Sequence, residues 1–164
     1  MGSQSKIKLL LVDDEIKFLQ SIAQRLELKN IDVIAVSNGE EAIAVAEKDL
    51  FDVAVVDFQM PGMDGAQVLK ALKERHKYLE IIMLTGHATV DSAVECTKLG
   101  AFKYLEKPYA FEKLVETIKE AYEARLKKKF EHNKKRMEAI QKLSIGSSPL
   151  GLLRALARLD DEEK

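Results

Sequence analysis

The chain has 164 residues, of which 46% are hydrophobic and 32% are charged. This composition is typical of about one folded domain and excludes an intrinsically disordered protein. The formal net charge of −1 conceals an uneven distribution, because residues 1–118 hold 14 Lys and Arg against 19 Asp and Glu, whereas residues 119–143 hold 9 against 4. The body of the chain is therefore acidic, and the segment that follows it is basic.

A single cysteine, Cys96, leaves no partner for an internal disulfide. No apolar run resembles a signal peptide or is long enough to span a membrane. We therefore expect a cytoplasmic protein that has no membrane partner.

Short apolar runs alternate with helical patterns of about 10 to 15 residues, which predicts an α/β fold with a parallel, doubly wound sheet. The predicted strands are Ile7–Val12, Ile31–Val36, Phe51–Val56, Ile81–Leu84 and Phe102–Leu105. Ser37-Asn38-Gly39-Glu40 has the spacing of a capping box, in which Glu40 returns a bond to the backbone of Ser37. The fourth helix is predicted from about Ala88 to Leu99, with Gly100 as the glycine that ends it.

The C-terminal part has a different pattern. No Gly or Pro interrupts residues 109–145, which predicts one helix of roughly 35 residues whose distal half must be exposed, paired with another chain or frayed. Gly146-Ser147-Ser148-Pro149 should end that helix and start a shorter one. The shorter helix carries a leucine stripe formed by Leu152, Leu153, Leu156 and Leu159.

Carboxylates follow two of the predicted strands at the point where each strand ends. Asp57 follows the third strand, and Asp13 and Asp14 follow the first. If these strands are neighbours, their acids converge, and two carboxylates about 4 Å apart repel by roughly 4 kcal/mol at an effective dielectric near 20. Oxygen ligands of this kind suit Mg²⁺, with Mn²⁺ as a possible substitute, better than zinc. Taken alone, Asp13 or Asp14 would more often be a helix N-cap.

These residues belong to a larger set that resembles the receiver domain of bacterial two-component response regulators. The resemblance covers about residues 5–122 and rests on strand-end motifs in a fixed order. The motifs are Asp13-Asp14, Asp57, Met60-Pro61 with Asp64-Gly65, Thr85-Gly86 and Lys107-Pro108. The resemblance implies a flavodoxin-like (βα)5 fold with strand order 2-1-3-4-5.

The resemblance also implies a role for each matching residue. Asp57 would be the phosphoacceptor, and Mg²⁺ would be held by Asp57, Asp14, Asp13 through water, and the backbone carbonyl of Gln59. Thr85 would bind one phosphoryl oxygen and Lys107 another. Tyr104 matches the position whose ring turns inward when the threonine is drawn toward the phosphate. Lys107-Pro108 is a candidate cis peptide, and His87 and Gln59 are candidates for screening the phosphate from water.

The implied partners follow from this chemistry. The phosphoryl donor would be a sensor histidine kinase or a histidine phosphotransfer protein, and the signal would pass to a downstream protein. The surface that changes would be formed by the fourth helix, the fifth strand and the fifth helix, and this surface or the long helix could also form a homodimer. The protein would not be a classical enzyme, although it would catalyse its own phosphorylation and dephosphorylation.

The same resemblance suggests a division of the chain into a receiver domain at 5–122, a basic extension of the fifth helix at 123–145, and a linker with a short helix or disordered tail at 146–164. Since the last two segments contain no compact helix-turn-helix, we expect a stand-alone regulator and consider nucleic-acid binding unlikely. The basic stretches Lys127-Lys128-Lys129 and Lys134-Lys135-Arg136 fit a solvated helix face, an acidic protein partner or weak contact with nucleic acid.

Four other functions are alternatives to this one. A phosphorelay intermediate would pass its phosphoryl group to a histidine phosphotransfer domain. A metal-dependent phosphatase of the Asp-x-Asp kind is disfavoured because Asp57-Phe58-Gln59 lacks the second aspartate. A constitutive coiled-coil dimer with an inactive receiver is disfavoured by the complete acidic set. The tail could also act on a protein or nucleic-acid target.

Overall fold

The computed structural model describes residues 6–144 and 149–162, in which strands and helices alternate from the start. The strands are β1 (Ile7–Val12), β2 (Ile31–Val36), β3 (Val53–Asp57), β4 (Glu80–Thr85) and β5 (Lys103–Glu106). The helices are α1 (Ile16–Glu27), α2 (Gly39–Lys48), α3 (Gly65–Arg75), α4 (Val90–Lys98), α5 (Phe111–Ser144) and α6 (Pro149–Glu162).

The five strands form one parallel sheet in the order β2-β1-β3-β4-β5. The predicted flavodoxin-like α/β fold is therefore confirmed. In this order β1 and β3 are neighbours, and Val12 pairs with Val56 directly before the acidic residues that follow each strand. The sheet topology thus brings the two acidic segments to the same edge.

Side chains of β1 alternate between two hydrophobic clusters, one on each face of the sheet. Leu10 and Val12 belong to the first cluster, whereas Leu9 and Leu11 belong to the second. Every residue of the central strands β3 and β4 is buried, while the edge strands β2 and β5 are partly exposed. Such burial on both faces is typical of parallel sheets with helices on each side.

The third strand begins later than the sequence predicted. The prediction was Phe51–Val56, whereas β3 runs over Val53–Asp57 and includes the candidate phosphoacceptor as its last residue. Asp52 explains the late start, because its Oδ2 atom accepts a hydrogen bond from the Lys8 backbone N–H at 2.9 Å. The Asp52 N–H donates to the Lys8 carbonyl at 2.8 Å, so backbone and side chain of Asp52 together make the first contact with β1.

Two further strands differ by one residue at their ends. β4 extends one residue beyond the predicted Ile81–Leu84 in each direction, and β5 starts and ends one residue later than the predicted Phe102–Leu105. The pairing of Thr85 with Glu106 shows that the sheet continues into the polar residues at these ends. Hydrophobic runs alone marked only the apolar part of each strand.

The predicted capping box at α2 was wrong by one residue. Asn38, not Ser37, is the N-cap, and its Oδ1 atom accepts a hydrogen bond from the Glu41 N–H at 2.8 Å. Asn and Ser are comparable N-caps, so the sequence spacing could not decide between them.

The fourth helix also begins later than predicted. Thr89 caps α4, since its Oγ1 atom accepts from the Ser92 N–H at 3.0 Å while the Ser92 Oγ atom accepts from the Thr89 N–H at 3.2 Å. The helix therefore starts at Val90 rather than near Ala88. Gly100 follows its end with a φ of +98°, the left-handed conformation expected of a C-terminal glycine.

The predicted long helix is confirmed as α5, which covers 34 residues. The chain divides into two compact units, Met1–Arg125 and Leu126–Lys164. Pro149 is the first residue of α6, as predicted. Residues 146–148 of the predicted break lie outside the described residues, as do the side chains of Leu152, Leu156 and Leu159, while Leu153 is exposed. No described helix has both the length and the apolar character required to cross a membrane.

Candidate functional site

Asp57 lies at the carboxyl end of β3, where its side chain is almost fully buried with 5% relative exposure. The turn that follows folds back on the sheet, because Phe58 N–H donates to the Leu84 carbonyl at 2.7 Å and Gly65 N–H donates to the Phe58 carbonyl at 3.0 Å. A Cβ atom at Gly65 would lie 2.4 Å from the Asp57 carbonyl oxygen. Only glycine allows this close approach, which fixes the backbone around Asp57.

Asp13 and Asp14 follow β1 and lie beside Asp57. The three side chains each offer a carboxylate oxygen, and these oxygens all lie within 4.8 Å of one another. Asp13 is fully buried, whereas Asp14 is exposed. The Asp13 Oδ1 atom accepts the Glu15 N–H at 2.9 Å, a bond that holds this carboxylate against the start of α1. The chain thus forms an acidic pocket that is open to solvent on the side of Asp14.

Lys107 supplies the positive charge of the site. Its Nζ atom lies 3.0 Å from Asp13 Oδ2 and 3.8 Å from Asp57 Oδ2. The same atom lies 4.5 Å from the centre of the Phe18 ring, a cation–π contact on its apolar side. Lys107 N–H donates to the Thr85 carbonyl at 2.6 Å, and the bond from Lys107 to Pro108 is cis.

Thr85 is the last residue of β4 and is fully buried. Its Oγ1 atom accepts a hydrogen bond from the His87 N–H at 3.1 Å. Both His87 and Gln59, the two candidates for screening the phosphate, are exposed at this edge of the sheet. The Gln59 N–H donates to Asp57 Oδ1 at 3.3 Å. That the Gln59 backbone carbonyl binds the metal stays a prediction.

Tyr104 of β5 connects the site to α4. Its hydroxyl lies 2.7 Å from Ser92 Oγ, and its ring meets the Phe58 ring edge to face with 6.2 Å between the centroids. Ser92 also shares a hydrogen bond of 2.9 Å with the hydroxyl of Thr89, the N-cap of α4. The side chain at the predicted switch position therefore contacts the first turn of α4.

Two contributors were missed by the sequence reasoning. Ser92 could have been found from the Thr89-Val90-Asp91-Ser92 spacing, which is that of a hydroxyl N-cap followed by its N3 partner. Phe18 has no local motif, because its contact with the Lys107 ammonium joins two residues that are far apart in the sequence.

The electrostatics of the pocket penalise a buried negative charge. Burial raises the pKa of Asp57 from 3.8 to about 6, and the neighbouring Asp13 and Asp14 carboxylates act in the same direction. Lys107 and the Gln59 N–H oppose this shift in pKa. One ammonium group thus only partly compensates three carboxylates.

This donor set fits a hard divalent cation. Pockets that offer several carboxylate oxygens and no imidazole or thiolate suit Mg²⁺, which keeps part of its water shell. The three clustered oxygens meet that description, and the exposed Asp14 leaves room for metal-bound water.

We expect Asp57→Asn to raise the free energy of unfolding in metal-free buffer near pH 7.5 by on the order of 2 kcal/mol. The folded carboxyl group binds its proton up to about pH 6, whereas the unfolded one releases it near 3.8. Wild-type stability therefore falls as the pH rises through this window, and the neutral amide avoids that loss. The advantage of the variant should vanish below about pH 4.

Chemical denaturation over a pH series measures this effect. Asp32→Asn, a change at an exposed position of β2, is the matched control and should show little difference at any pH. A gain for Asp57→Asn that stays constant from low to high pH would contradict a buried, electrostatically opposed carboxylate.

Several curated proteins align with the receiver-like part of this chain. The C4-dicarboxylate transport transcriptional regulatory protein DctD of Pseudomonas aeruginosa is 33% identical over 121 residues, which are 74% of this chain and 26% of that protein. A response regulator described as NtrX-like from Rickettsia bellii is 30% identical over 158 residues, 95% of this chain and 33% of that protein. The chain spans about a quarter of the length of the first of these relatives.

Solved structures show the same fold. A CheY-like receiver domain protein from Methanospirillum hungatei has a TM-score of 0.73 at 31% identity, with 76% of this chain and 99% of that chain covered. Chemotaxis protein CheY4 of Vibrio cholerae has a TM-score of 0.69 at 33% identity, with 71% of this chain and 99% of that chain covered. The family model of the response regulator receiver domain matches residues 9–119. The chain therefore belongs to the response regulator receiver domain family.

Proposed function

We propose that Asp57 accepts a phosphoryl group from the phosphohistidine of a sensor histidine kinase or a histidine phosphotransfer protein. The observation that carries this proposal is the Asp57 carboxylate at the end of a buried strand, with two further carboxylates and the Lys107 ammonium around it. A structural role alone gives no reason to retain three acids around one lysine, because burial of this charge destabilises the fold.

The reaction is a transfer between two nucleophiles. A carboxylate oxygen of Asp57 forms a bond to phosphorus, the phosphorus–nitrogen bond of phosphohistidine breaks, and its electron pair returns to the imidazole ring. The product is an acyl phosphate on Asp57. In hydrolysis, water attacks phosphorus, the bond between phosphorus and the Asp57 oxygen breaks, and the products are inorganic phosphate and the free carboxylate. This is the autodephosphorylation that the resemblance implies.

The acidic pocket would hold Mg²⁺ through Asp13, Asp14, Asp57 and the Gln59 carbonyl, and Mn²⁺ could substitute. When bound, a divalent cation would neutralise negative charge on the phosphoryl oxygens. Lys107 already lies near both buried acids, so its flexible ammonium can follow a phosphoryl oxygen without a large rearrangement.

The proposed switch begins at Thr85. Its hydroxyl oxygen accepts a hydrogen bond from the His87 N–H, so it can donate its own proton to a phosphoryl oxygen. A movement of Thr85 would alter the space available to Tyr104, whose hydroxyl contacts Ser92 in the first turn of α4. We propose that this contact transmits the change to the surface formed by α4, β5 and the start of α5.

The output of the protein stays a proposal. We propose a receiver domain at 5–122, a basic extension at 123–145 and a tail at 146–164, which acts through a downstream protein or a homodimer. The alignment with the NtrX-like regulator covers 95% of the chain, so part of the extension also has a counterpart there. DctD is described as a transcriptional regulatory protein, which makes a nucleic-acid target the second candidate for the output.

We expect the wild-type chain to gain one phosphoryl group from acetyl phosphate in the presence of Mg²⁺, and Asp57→Asn to gain none, because the amide lacks a nucleophilic oxygen anion. Intact-protein mass spectrometry and acid–base stability of the label measure the product. Asp64→Asn is the matched control, since Asp64 caps α3 and Asn is an equally good cap. Label that persists on Asp57→Asn would refute the assignment.

The switch can be tested separately from phosphorylation. With beryllofluoride and Mg²⁺, we expect amide NMR shifts at Ser92 and Tyr104 in the wild type, and a loss of at least about half of these shifts in Thr85→Ala. Thr97→Ala removes an exposed hydroxyl that donates to the Ala93 carbonyl of its own helix and should leave the shifts unchanged. Equal shifts in Thr85→Ala and wild type would show that Thr85 does not couple the site to α4.

A further inference from the structure

A cavity lies at the opposite end of the sheet from Asp57. Its volume is about 540 Å³, and it lies where β1 and β2 begin, with Ile7 paired to Ile31 in the sheet. Asp57 ends β3, and because all strands are parallel the two sites face opposite edges. The cavity is lined by Lys6, Ile7, Lys29, Asn30, Ile31, Lys119 and Tyr122.

Three lysines from separate elements converge on this cavity. Lys6 precedes β1, Lys29 lies in the turn between α1 and β2, and Lys119 lies on α5. Within the described residues none of the three forms an ion pair, although the receiver part of the chain is rich in carboxylates. Like charges around one cavity repel, and an anion in the cavity would relieve that repulsion.

The remaining lining favours a ligand with an apolar part. Ile31 is buried and Ile7 and Tyr122 are half-buried, so together they form an apolar floor and one aromatic wall. Asn30 adds an amide at the rim, on a backbone with a φ of +63° that turns the chain sharply into β2. Cationic side chains around an apolar floor suit an anion that carries a flat ring.

An adjacent cavity limits where the anion can lie. It has a volume of about 250 Å³ and shares Lys29 and Lys119, but Glu112 and Glu116 form its other side. These carboxylates would repel an anion, so negative charge is favoured on the side of Lys6 and Tyr122. The volume of the first cavity is in the range of small-molecule sites and is too small for a folded partner.

We propose that this cavity is a binding site for a small organic polyphosphate, of the class of nucleoside triphosphates. The phosphates would contact Lys6, Lys29 and Lys119, and the ring would pack against Tyr122. The site is independent of the phosphoacceptor site. A ligand here would contact both the α1–β2 turn and α5, which is the helix that continues into the basic extension.

Titration of the full chain with ATP tests the proposal, with EDTA present so that no metal occupies the acidic pocket. We expect saturable binding of one ATP per chain, with amide NMR shifts at Lys29, Asn30 and Lys119. The double variant Lys29→Gln/Lys119→Gln should weaken binding at least about tenfold, since charge-assisted contacts are lost. Lys70→Gln, the same change on an exposed position of α3, should stay within about twofold.

Further ligands and variants define the class. Inorganic tripolyphosphate and adenosine should each bind at least about fivefold more weakly than ATP, and Tyr122→Leu should reduce ATP binding to the tripolyphosphate level. Asp57→Asn should bind ATP like the wild type, which separates this proposal from the phosphoacceptor function.

Several results would overturn the proposal. These are an absence of saturable ATP binding, shifts confined to residues 127–136, equal affinity for tripolyphosphate and ATP, or unchanged affinity in the double lysine variant. Competition by a short polyglutamate peptide that binds more tightly than ATP would instead assign the cavity to an acidic protein segment.

Discussion

The contact between the Lys107 ammonium and the buried Asp13 and Asp57 carboxylates is the interaction on which the rest of the site depends. Parallel strands β1 and β3 place the two acids side by side, and the turn after β5 places the lysine opposite them. One ammonium cannot neutralise three carboxylates. The pKa of Asp57 is raised chiefly because the carboxyl group is buried, and the neighbouring Asp13 and Asp14 carboxylates add to this effect. A divalent cation is the ligand that this excess of negative charge favours.

The same arrangement provides the contacts through which the proposed switch would reach α4. The backbone N–H of Lys107 donates a hydrogen bond to the Thr85 carbonyl, so these two residues are held together at the strand ends. Tyr104 is one strand away and is hydrogen-bonded to Ser92 at the start of α4. Hydrogen bonds between Thr89 and Ser92 hold this first turn together, so it is the part of α4 that would respond to Tyr104 in the proposed switch.

The sequence predicted the fold and the position of the acids because both depend on local patterns. Apolar runs marked the strands, and parallel strands end at a common edge of the sheet. That the first and third strands are neighbours, which brings Asp13, Asp14 and Asp57 together, was implied by the family resemblance. Local patterns could not predict side-chain contacts outside the site between residues that are far apart in the sequence. The Asp52 carboxylate accepts hydrogen bonds from Lys8 and Arg125, which are 44 and 73 residues away, and no local motif indicates these contacts. The choice of Asn38 over Ser37 as a cap depends on the backbone at that turn and not on residue spacing.

Calorimetric titration with Mg²⁺ near pH 7.5 is the most direct test of the central claim that the three carboxylates act as one cation site. The account predicts uptake of one ion per chain in the wild type, with affinity reduced at least about tenfold in Asp14→Asn, which removes an exposed acid without disturbing the buried core. Magnesium binding that is absent, or that is unchanged when Asp14 is neutralised, would contradict it.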